Sequence, residues 1–388
     1  MARHNIPTAR YENFCDYEKA KEHLDTVPYK VVIKATGLAA GKGVILPSTA
    51  EEARAALKSI MSDKDFGSAG DEVVIEEHLE GQELSFLSFS DGSSIKTLSP
   101  GQDHKQIFDS DNGPNTGGMG CYAPSPIATP ELIEEVHRTI LQPTIDGMRK
   151  ERMPFRGLLF SGLMITKDGP KTLEYNVRFG DPETQTMLPL MDGDLADIML
   201  TCTEGCLDAV SMKTHSGYAA TVVASAGGYP GPYVRGDHIT FDAPPANTHV
   251  FHAGTELRTD ARAQNHPQPP TLTTSGGRVI AATSTAESLK TAIDGAYEGM
   301  STIHFANMYY RKDIGKKGLE ALDTQAAQSK GNLTKCERLT YASAGVSIAA
   351  GDEFIRRIKP LVRSTARPVR LISRILVFTA IFGGFPFD

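Results

Sequence analysis

The segment Val31-Val-Ile-Lys34-Ala-Thr-Gly37-Leu-Ala-Ala-Gly41-Lys42-Gly43 decides the fold of this 388-residue chain. Its β-branched run predicts a strand over Val31–Ala35 that delivers Lys34 to the start of a glycine loop. Glycines let backbone N–H groups approach phosphate oxygens without a Cβ clash, and Lys34 and Lys42 supply point charges for a polyphosphate. The segment is not a Walker A motif, because Gly43 stands where a hydroxyl residue must follow the lysine. Alone, it is equally compatible with a surface turn that carries an incidental lysine.

An acidic segment follows, Val73-Val-Ile-Glu76-Glu77-His78-Leu79-Glu80-Gly81-Gln82-Glu83. The pattern predicts a strand over Val73–Glu77 that ends in acidic residues and then an apolar one. Such a segment can present a backbone C=O and N–H to an adenine edge, and Glu83 can bridge the hydroxyls of a ribose. A solvated acidic turn is the alternative interpretation.

A third motif, Leu173-Glu174-Tyr-Asn176-Val-Arg178-Phe-Gly180-Asp181-Pro-Glu183, closes a predicted β-hairpin. Side chains at i, i+2 and i+4 of a strand share a face, so Glu174, Asn176 and Arg178 point the same way. A carboxylate and an amide oxygen suit Mg²⁺, which keeps waters and bridges substrate phosphates. The adjacent Arg178 fits a phosphoryl group that is being transferred. The alternative is a polar solvent face, although Asp181 and Glu183 crowd further carboxylates around one turn.

A fourth motif lies in residues 99–126, which we predict to be one long loop because they are polar and rich in Gly, Asp and Pro. Lys105 and the glycine-rich turn at Thr116, Gly117 and Gly118 can bind a phosphate or carboxylate. Asp103 can receive an ammonium group, whereas we interpret His104 as structural. A mobile linker is the alternative interpretation.

The remaining pattern predicts an α+β protein whose later part is mostly β. Helical spacing of apolar residues predicts helices over 16–24, 50–61, 130–149, 192–206 and 286–300. Strand patterns occur at 84–90, 158–166, 171–177, 220–225, 239–241, 250–254 and 279–282. Residues 323–340 are polar, and we predict a linker there.

Composition excludes several classes of function. The formal net charge of −7 argues against nucleic acid or an anionic membrane as the main partner. The five cysteines are scattered and form no zinc-site spacing, which favours free thiols in a reducing, cytoplasmic compartment. The apolar stretch at 371–387 is too interrupted for a membrane span, and the first residues lack the apolar core of a signal peptide.

The order of the four motifs resembles that of the ATP-grasp enzymes, which hold ATP between two α+β lobes with metal ligands on the second. The longer strings resemble one family in particular, phosphoribosylamine–glycine ligase. They are IPTA at 6–9, VIKATGLAAGKGV at 32–44, VIEEHLEGQELSF at 74–86, QDHKQIFDSDNGPNTGGMG at 102–120, EYNVRFGDPETQ at 174–185, AGGYPGPYVRGD at 226–237, VFHAGTEL at 250–257 and YRKDIG at 310–315.

The resemblance implies ATP-dependent ligation of glycine to 5-phosphoribosylamine through a glycyl phosphate, with Mg²⁺ or Mn²⁺. It assigns the metal to Glu174 and Asn176, with a third protein ligand near Gly162 left open. It assigns catalytic roles to Arg178, Asp103 and Lys105. The ATP contacts that it implies are Lys34, Gly37, Gly41, Lys42, Gly43, Glu76, Glu77, Leu79 and Glu83, and the substrate contacts are Thr116, Gly117, Gly118, Asp181 and Glu183.

The resemblance also predicts the domain organisation. Residues 1–208 form the ATP-grasp domain and residues 209–322 a small β-rich domain. Met1 falls inside a family motif, which predicts an internal start without the family's first domain. Residues 341–368 resemble the opening of the aminoimidazole ribonucleotide synthetase (cyclo-ligase) that is fused to the ligase in fungi, and through which the full-length form would dimerise. Residues 369–388 fit neither enzyme, so an aberrant tail is expected.

Two alternatives remain open at this point. The chain is an inactive fragment that binds Mg-ATP, or it is another ATP-grasp carboxylate–amine ligase such as a carboxylase subunit. The string GPNTGGMG at 113–120 argues against the second alternative.

Overall fold

A computed structural model of the chain describes residues 1–37, 43–259 and 270–334. Residues Met1–Thr324 form one compact unit. Of the unit that begins at Gln325, the described part is the end of a helix.

The first lobe is a small antiparallel sheet covered by two helices. Its elements in chain order are β1 (Tyr11–Phe14), α1 (Tyr17–Thr26), β2 (Val31–Ala35), β3 (Val44–Ile45), α2 (Ala50–Met61) and β4 (Val73–Glu77). The strands lie in the order β1-β4-β2-β3. Ile33 and Ile75 of the sheet pack against Leu57 and Ile60 of α2 in one buried core. The predictions for β2, β4 and α2 are confirmed, because β-branched runs and the Thr49 cap define these elements locally.

The second lobe is built on long strands backed by a broken helix. Its elements, with those inserted between them, are β5 (Gln82–Asp91), β6 (Ile95–Thr97), β7 (Gln102–Asp103), β8 (Gln106–Phe108), β9 (Asn112–Asn115), β10 (Gly120–Ala123), α3 (Pro130–Val136), α4 (Gln142–Lys150), β11 (Arg156–Thr166) and β12 (Gly169–Asn176). A π-helical turn at His137–Leu141 joins α3 to α4. The strands β12-β11-β5-β6 form the sheet, and the predicted hairpin is confirmed as β11 and β12.

The prediction of one long loop over 99–126 is wrong. This stretch contains β7, β8, β9 and β10, and β10 is buried along its whole length. Strand β10 pairs with β7 on one side and, on the other, with a strand about a hundred residues later in the chain, Tyr218–Ser225. Such short strands gain their hydrogen bonds from distant partners, so local composition does not reveal them.

The remaining elements include, after residue 208, the β-rich region that the sequence predicts. They are α5 (Glu183–Met187), β13 (Met191–Asp192), α6 (Leu195–Glu204), β14 (Lys213–Thr214), β15 (Tyr218–Ser225), β16 (Thr240–Phe241), β17 (Thr248–His252), β18 (Thr255–Arg258), β19 (Thr271–Thr274), β20 (Arg278–Ala286), α7 (Leu289–Ser301), β21 (Ile303–His304) and α8 (Lys316–Thr334). The main sheet has the order β17-β20-β15-β10-β7, and α7 packs against it. Strands from both sides of residue 208 therefore share one sheet, and the division at 208/209 stays a prediction.

The part of the predicted linker that overlaps α8 is helical, since the helix covers residues 316–334, and the assignment of 323–340 as a linker stays a prediction. Leu319 and Leu322 pack against the core beneath the main sheet, and such packing of an apolar face supports a helix whose other residues are largely polar. Residues 335–340, the cyclo-ligase resemblance at 341–368 and the tail at 369–388 lie outside the described residues. Within the described ranges, no helix combines the length and the apolar character that crossing a membrane requires.

Candidate active site

Lys34 lies where the two lobes meet. It belongs to β2, opposite Val74 of β4. Its Nζ lies 2.6 Å from Glu76 Oε2 and donates a hydrogen bond of 3.3 Å to the backbone oxygen of Leu173. Leu173 directly precedes Glu174 on β12. One ammonium group therefore joins the first three motifs of the sequence.

The described ends of the glycine loop are held close to their neighbours. Gly37 N donates to Ala69 O at 3.3 Å, and a Cβ at Gly37 would lie 2.5 Å from Ala69 Cα. Ala35 N donates to Gly43 O at 2.8 Å. The position of Gly37 thus requires the absence of a side chain. Gly41 and Lys42, which were also predicted to contact ATP, lie outside the described residues.

The acidic segment at the end of β4 is held by contacts of both its side chains and its backbone. Arg10 donates to both carboxylate oxygens of Glu77 at 3.1 Å, and this hydrogen bonding lowers the pKa of Glu77. His78 N donates to Lys30 O at 2.8 Å, and the Leu79 side chain is buried. Arg10 therefore occupies the Glu77 carboxylate, and the adenine contact expected from this segment stays a prediction.

A half-buried charge cluster of Glu83, Asp103 and Lys105 lies close to Glu174. Lys105 Nζ is 2.9 Å from Glu83 Oε2, and Ser85 Oγ donates to Asp103 Oδ1 at 3.3 Å. Burial would lower the pKa of Lys105, but the negative charges of Asp103, Glu83 and Glu174 outweigh it and raise that pKa. Burial raises the pKa of the Asp103 carboxyl, against the attraction of Lys105. The structure therefore brings the predicted ribose residue Glu83 together with Asp103 and Lys105.

Glu174 and Asn176 are neighbours on one face of β12, as the alternation of a strand predicts. Asn176 Nδ2 donates to Glu174 Oε1 at 3.3 Å. Arg178 follows the end of the strand, with its guanidinium 5.7 Å from the centre of the Phe160 ring and a 3.1 Å hydrogen bond to Phe179 O. Glu174 and Arg178 are exposed and so are accessible to a ligand between the lobes.

This pair of oxygen ligands fits a hard divalent cation that keeps part of its water shell. Mg²⁺ is commonly held by one or two protein ligands together with substrate phosphates. The described residues contain no group of three or more His, Cys, Asp or Glu side chains that could hold a metal ion. Gly162 stands opposite Glu174 on β11 and has no side chain, so the identity of a third protein ligand stays open.

The glycine-rich turn is tied to Lys105 through Thr116. Thr116 donates to Lys105 O from its backbone nitrogen at 2.8 Å and from its hydroxyl at 2.7 Å. Gly118 N in turn donates to Thr116 Oγ1 at 3.0 Å. The position of this turn and that of Lys105 are therefore coupled.

Glu183 is a buried acid at the start of α5. Burial raises the pKa of Glu183 to about 8, with a further contribution from the charge of Asp103. A Cβ at Gly180 would lie 2.4 Å from Glu183 Oε2, so the turn wraps closely around the carboxyl group. The opposing charges of Lys105 and Arg178 place Glu183 in the same electrostatic cluster.

Sequence reasoning missed three arginines that bind acidic side chains in and around the site. Arg10 fixes Glu77, Arg278 binds Asp181, and the fully buried Arg311 binds Asp111 and Asp313. Arg10 and Arg311 adjoin or lie within strings that carry the family resemblance, IPTA and YRKDIG, which was their only signal. Arg278 follows a glycine pair in the β-rich region, and nothing nearby in the sequence indicates its partners.

Comparison with known protein families agrees with this geometry. A family model described as phosphoribosylglycinamide synthetase, ATP-grasp (A) domain, matches residues 1–184. The model for the C domain of the same synthetase matches residues 219–317. A bifunctional purine biosynthetic protein of Schizosaccharomyces pombe is 54% identical over 369 residues, covering 95% of this chain and 44% of that protein. The human trifunctional purine biosynthetic protein adenosine-3 is 41% identical over 373 residues, covering 95% of this chain and 35% of that protein. The chain thus spans about half the length, or less, of these relatives.

Solved structures show the same relationship. The crystal structure of phosphoribosylamine–glycine ligase from Thermotoga maritima matches with a TM-score of 0.68 and 34% identity, covering 81% of this chain and 76% of that chain. A biotin carboxylase domain from Hydrogenobacter thermophilus matches with a TM-score of 0.59 and 16% identity, covering 80% of this chain and 65% of that chain. The second likeness concerns the fold alone, and together the two confirm the predicted ATP-grasp fold.

Proposed function

The chain belongs to the phosphoribosylglycinamide synthetase family, and from this premise we propose that it joins glycine to 5-phosphoribosylamine. ATP is converted to ADP and phosphate, and the product is glycinamide ribonucleotide, an intermediate of de novo purine biosynthesis. The observation that supports this most directly is the position of Lys34, which contacts Glu76 of the acidic segment and the Leu173 backbone beside Glu174.

The ATP would lie between the lobes. Lys34 and the backbone of the glycine loop, residues 37–43, would hold its phosphates, and the backbone from Glu76 to Leu79 would face the adenine. Glu83 would contact the ribose and exchange its Lys105 partner for hydroxyl groups. Glu174 and Asn176 would hold Mg²⁺ or Mn²⁺, which neutralises charge on the phosphates when bound.

The ligation then has two steps. A carboxylate oxygen of glycine attacks the γ-phosphorus, and the bond from that phosphorus to the ADP oxygen breaks. The amine of phosphoribosylamine next attacks the carbonyl carbon of glycyl phosphate, loses a proton, and inorganic phosphate leaves. Arg178 and Lys105 would stabilise charge on the transferring phosphoryl group, since phosphoryl transfer depends mainly on positioning and electrostatic stabilisation. Asp103 would receive an ammonium group, and Thr116, Gly117, Gly118, Asp181 and Glu183 would line the substrate side.

We extend the proposal to cellular context. The relatives are multifunctional purine biosynthetic proteins, which supports fusion to other enzymes of the same pathway. A fused cyclo-ligase domain and dimerisation through it stay part of the proposal. Cysteines 15, 121, 202 and 206 are free thiols, which supports a reducing compartment such as the cytoplasm.

The experiment that tests the function is release of ADP and formation of glycinamide ribonucleotide, followed in one sample. We expect ADP release that requires both glycine and phosphoribosylamine and that does not accept bicarbonate in place of glycine. Glu174→Gln should lower turnover by at least about a hundredfold, because the phosphate charge is no longer neutralised. The exposed Glu134→Gln is the matched control. ADP release without a need for glycine, or normal turnover in the Glu174 variant, would contradict the proposal.

A further inference from the structure

Arg278 binds two loops that the sequence keeps far apart. It stands at the start of β20, and its Nη1 donates to Asp181 O at 2.7 Å and to Gly118 O at 3.3 Å. Its Nη2 lies 3.2 Å from Asp181 Oδ2, and the side chain is only 19% exposed. One guanidinium group therefore joins the glycine-rich turn to the turn that follows the candidate metal strand.

Two glycines of the glycine-rich turn leave the space that this contact requires. A Cβ on Gly117 would lie 2.6 Å from Arg278 Nη2 and 2.7 Å from its Cζ. A Cβ on Gly118 would lie 2.6 Å from Pro182 Cδ, and Gly118 has a φ of 118°, which L side chains rarely adopt. Side chains at either position would push the turn away from Arg278 or from the second loop.

Tyr229 supports the same turn from the β-rich region. Gly117 N donates to the Tyr229 hydroxyl at 3.3 Å. The Tyr229 ring occupies the space beside Gly277, where a Cβ would lie 2.2 Å from Tyr229 Cδ2. Gly277 directly precedes Arg278. The Arg278 guanidinium and the Tyr229 hydroxyl therefore lie side by side, and both contact the glycine-rich turn.

Both carboxylate oxygens and the backbone oxygen of Asp181 have partners in this arrangement. Gln185 Nε2 donates to Asp181 Oδ1 at 2.8 Å, while Arg278 takes Oδ2 and the backbone oxygen. Both carboxylate oxygens therefore have donors already. Asp181 is placed to hold the loops together, with Arg278 as its counter-charge.

We propose that Arg278 is a positioning residue for the ligation: it fixes the turn at 116–118, which sets Lys105 through Thr116, against the turn at 181–183, which carries Glu183. This inference rests on the proposed function. The contacts described for Arg278 fall on the substrate-side loops, whereas Lys34 and Glu76 make their contacts in the first lobe and at Leu173. Arg278 should therefore govern turnover and leave the binding of nucleotide unchanged.

The kinetic arm of the test compares Arg278→Met, which removes the donors, with Arg278→Lys, which keeps the charge. Arg258→Met is the matched control, because Arg258 is an exposed arginine of the same region whose ion pair is with Glu256. A small misplacement of reacting groups costs up to about a hundredfold in rate, so Arg278→Met should lower kcat by about 10- to 100-fold. The KM for ATP and the calorimetric Kd for a non-hydrolysable ATP analogue should stay within about twofold, and Arg278→Lys should recover part of kcat.

The second arm needs no turnover. In the ligand-free protein, amide hydrogen exchange in residues 116–120 and 179–185 should quicken together in Arg278→Met by at least about tenfold, since both loops lose their shared anchor. Exchange in β2 and β4 should not change, and Arg258→Met should match the wild type throughout. Tyr229→Phe, which removes one acceptor, should quicken exchange in the first of these loops alone.

The outcomes separate cleanly. Unchanged exchange in either loop of Arg278→Met overturns the inference, as does a loss of ATP-analogue affinity equal to the loss of kcat. If the wild-type chain forms no product, the proposed function fails, while the exchange arm still decides whether Arg278 couples the two loops.

Discussion

The Lys34 ammonium and the Glu76 carboxylate lie 2.6 Å apart, within the gap where the proposed nucleotide would sit. Both side chains are about one-fifth exposed, so the pair is shielded from solvent without being enclosed. The Leu173 backbone oxygen accepts a further hydrogen bond from the same ammonium at 3.3 Å. In the free protein, Glu76 therefore holds the Lys34 ammonium toward the second lobe, where it would donate hydrogen bonds to phosphate oxygens of the proposed nucleotide.

Replacing Lys34 should weaken nucleotide binding. A hydrogen bond to a charged group contributes about 1.5–3 kcal/mol, so we expect Lys34→Met to raise the Kd of an ATP analogue by about 10- to 100-fold. Calorimetry on the purified chain measures this directly. Lys30→Met is the matched control, because Lys30 is an exposed lysine with a long, 3.8 Å pairing to Glu80. Equal affinities of the wild type and Lys34→Met for the ATP analogue would show that Lys34 is not part of the ATP site.

Glu183 should make the ligand-free protein less stable as the pH rises. Burial raises its pKa from the ordinary 4.5 to about 8, so between these values the folded chain binds a proton that the unfolded chain has lost. The contribution of Glu183 to the free energy of unfolding should then fall with increasing pH across this window, by up to about 1.4 kcal/mol per pH unit. Glu183→Gln should flatten this slope.

Urea unfolding at several pH values between 5 and 8 checks the Glu183 prediction, with Glu134→Gln as a surface control. The control should keep the wild-type slope. A Glu183→Gln slope that parallels the wild type would show that the carboxyl group is ionised in the folded protein throughout this range.

The sequence predicted those parts of the fold whose signals are local. Strands β2 and β4 and helix α2 have the predicted limits because β-branched runs and the Thr49 cap determine them without distant help. Strand β10 was missed, since its partner β15 lies about a hundred residues further on. Helix α8 was missed because its polar composition indicates a linker unless the packing of Leu319 and Leu322 is known.

The candidate site shows the same difference between residues with local sequence signals and residues that depend on distant partners. Lys34, Glu76, Glu83, Asp103, Lys105 and Glu174 were identified from motifs, and the structure brings them into one connected cluster. The arginine partners of Glu77 and Asp181 are 67 and 97 residues away in the chain, so only the folded structure pairs them. Motifs indicate which groups carry chemistry, whereas the residues that orient them come from unrelated parts of the sequence.

His104 should be replaceable without loss of stability near pH 7. Its side chain is buried, and neither ring nitrogen has a hydrogen-bond partner among the described residues. An unpaired buried polar group is unfavourable, so His104→Phe should change the free energy of unfolding by less than about 1 kcal/mol at pH 7, or increase it. Loss of more than about 2 kcal/mol would indicate a hydrogen bond to a ring nitrogen.

His104→Phe should also make the free energy of unfolding less sensitive to acid. Burial, aided by the charge of Arg311, lowers the pKa of His104 from 6.5 to about 4, so the unfolded chain binds the extra proton within this window. His104 should therefore lower the free energy of unfolding progressively as the pH falls from 6.5 to 4, so the stability of His104→Phe relative to the wild type should rise across this window. His249→Gln, at an exposed position on β17, should behave as the wild type does.

Arg311 should be the most costly arginine to remove. Its side chain is fully buried, and it donates to Asp313 at 2.7 and 2.8 Å, to Asp111 Oδ1 at 3.0 Å and to the backbone oxygen of Gln106 at 3.1 Å. Arg311→Met leaves Asp313 without its main counter-charge and Asp111 with Lys317 alone. Removing one partner of a buried ion pair destabilises a protein by about 3–5 kcal/mol. Chemical denaturation measures this loss, and the exposed Arg258→Met should cost less than about 1 kcal/mol. Adding Asp111→Asn and Asp313→Asn to Arg311→Met should restore part of the stability, because the unpaired negative charges are then gone. If the triple variant is no more stable than Arg311→Met, the loss comes from packing rather than from charge.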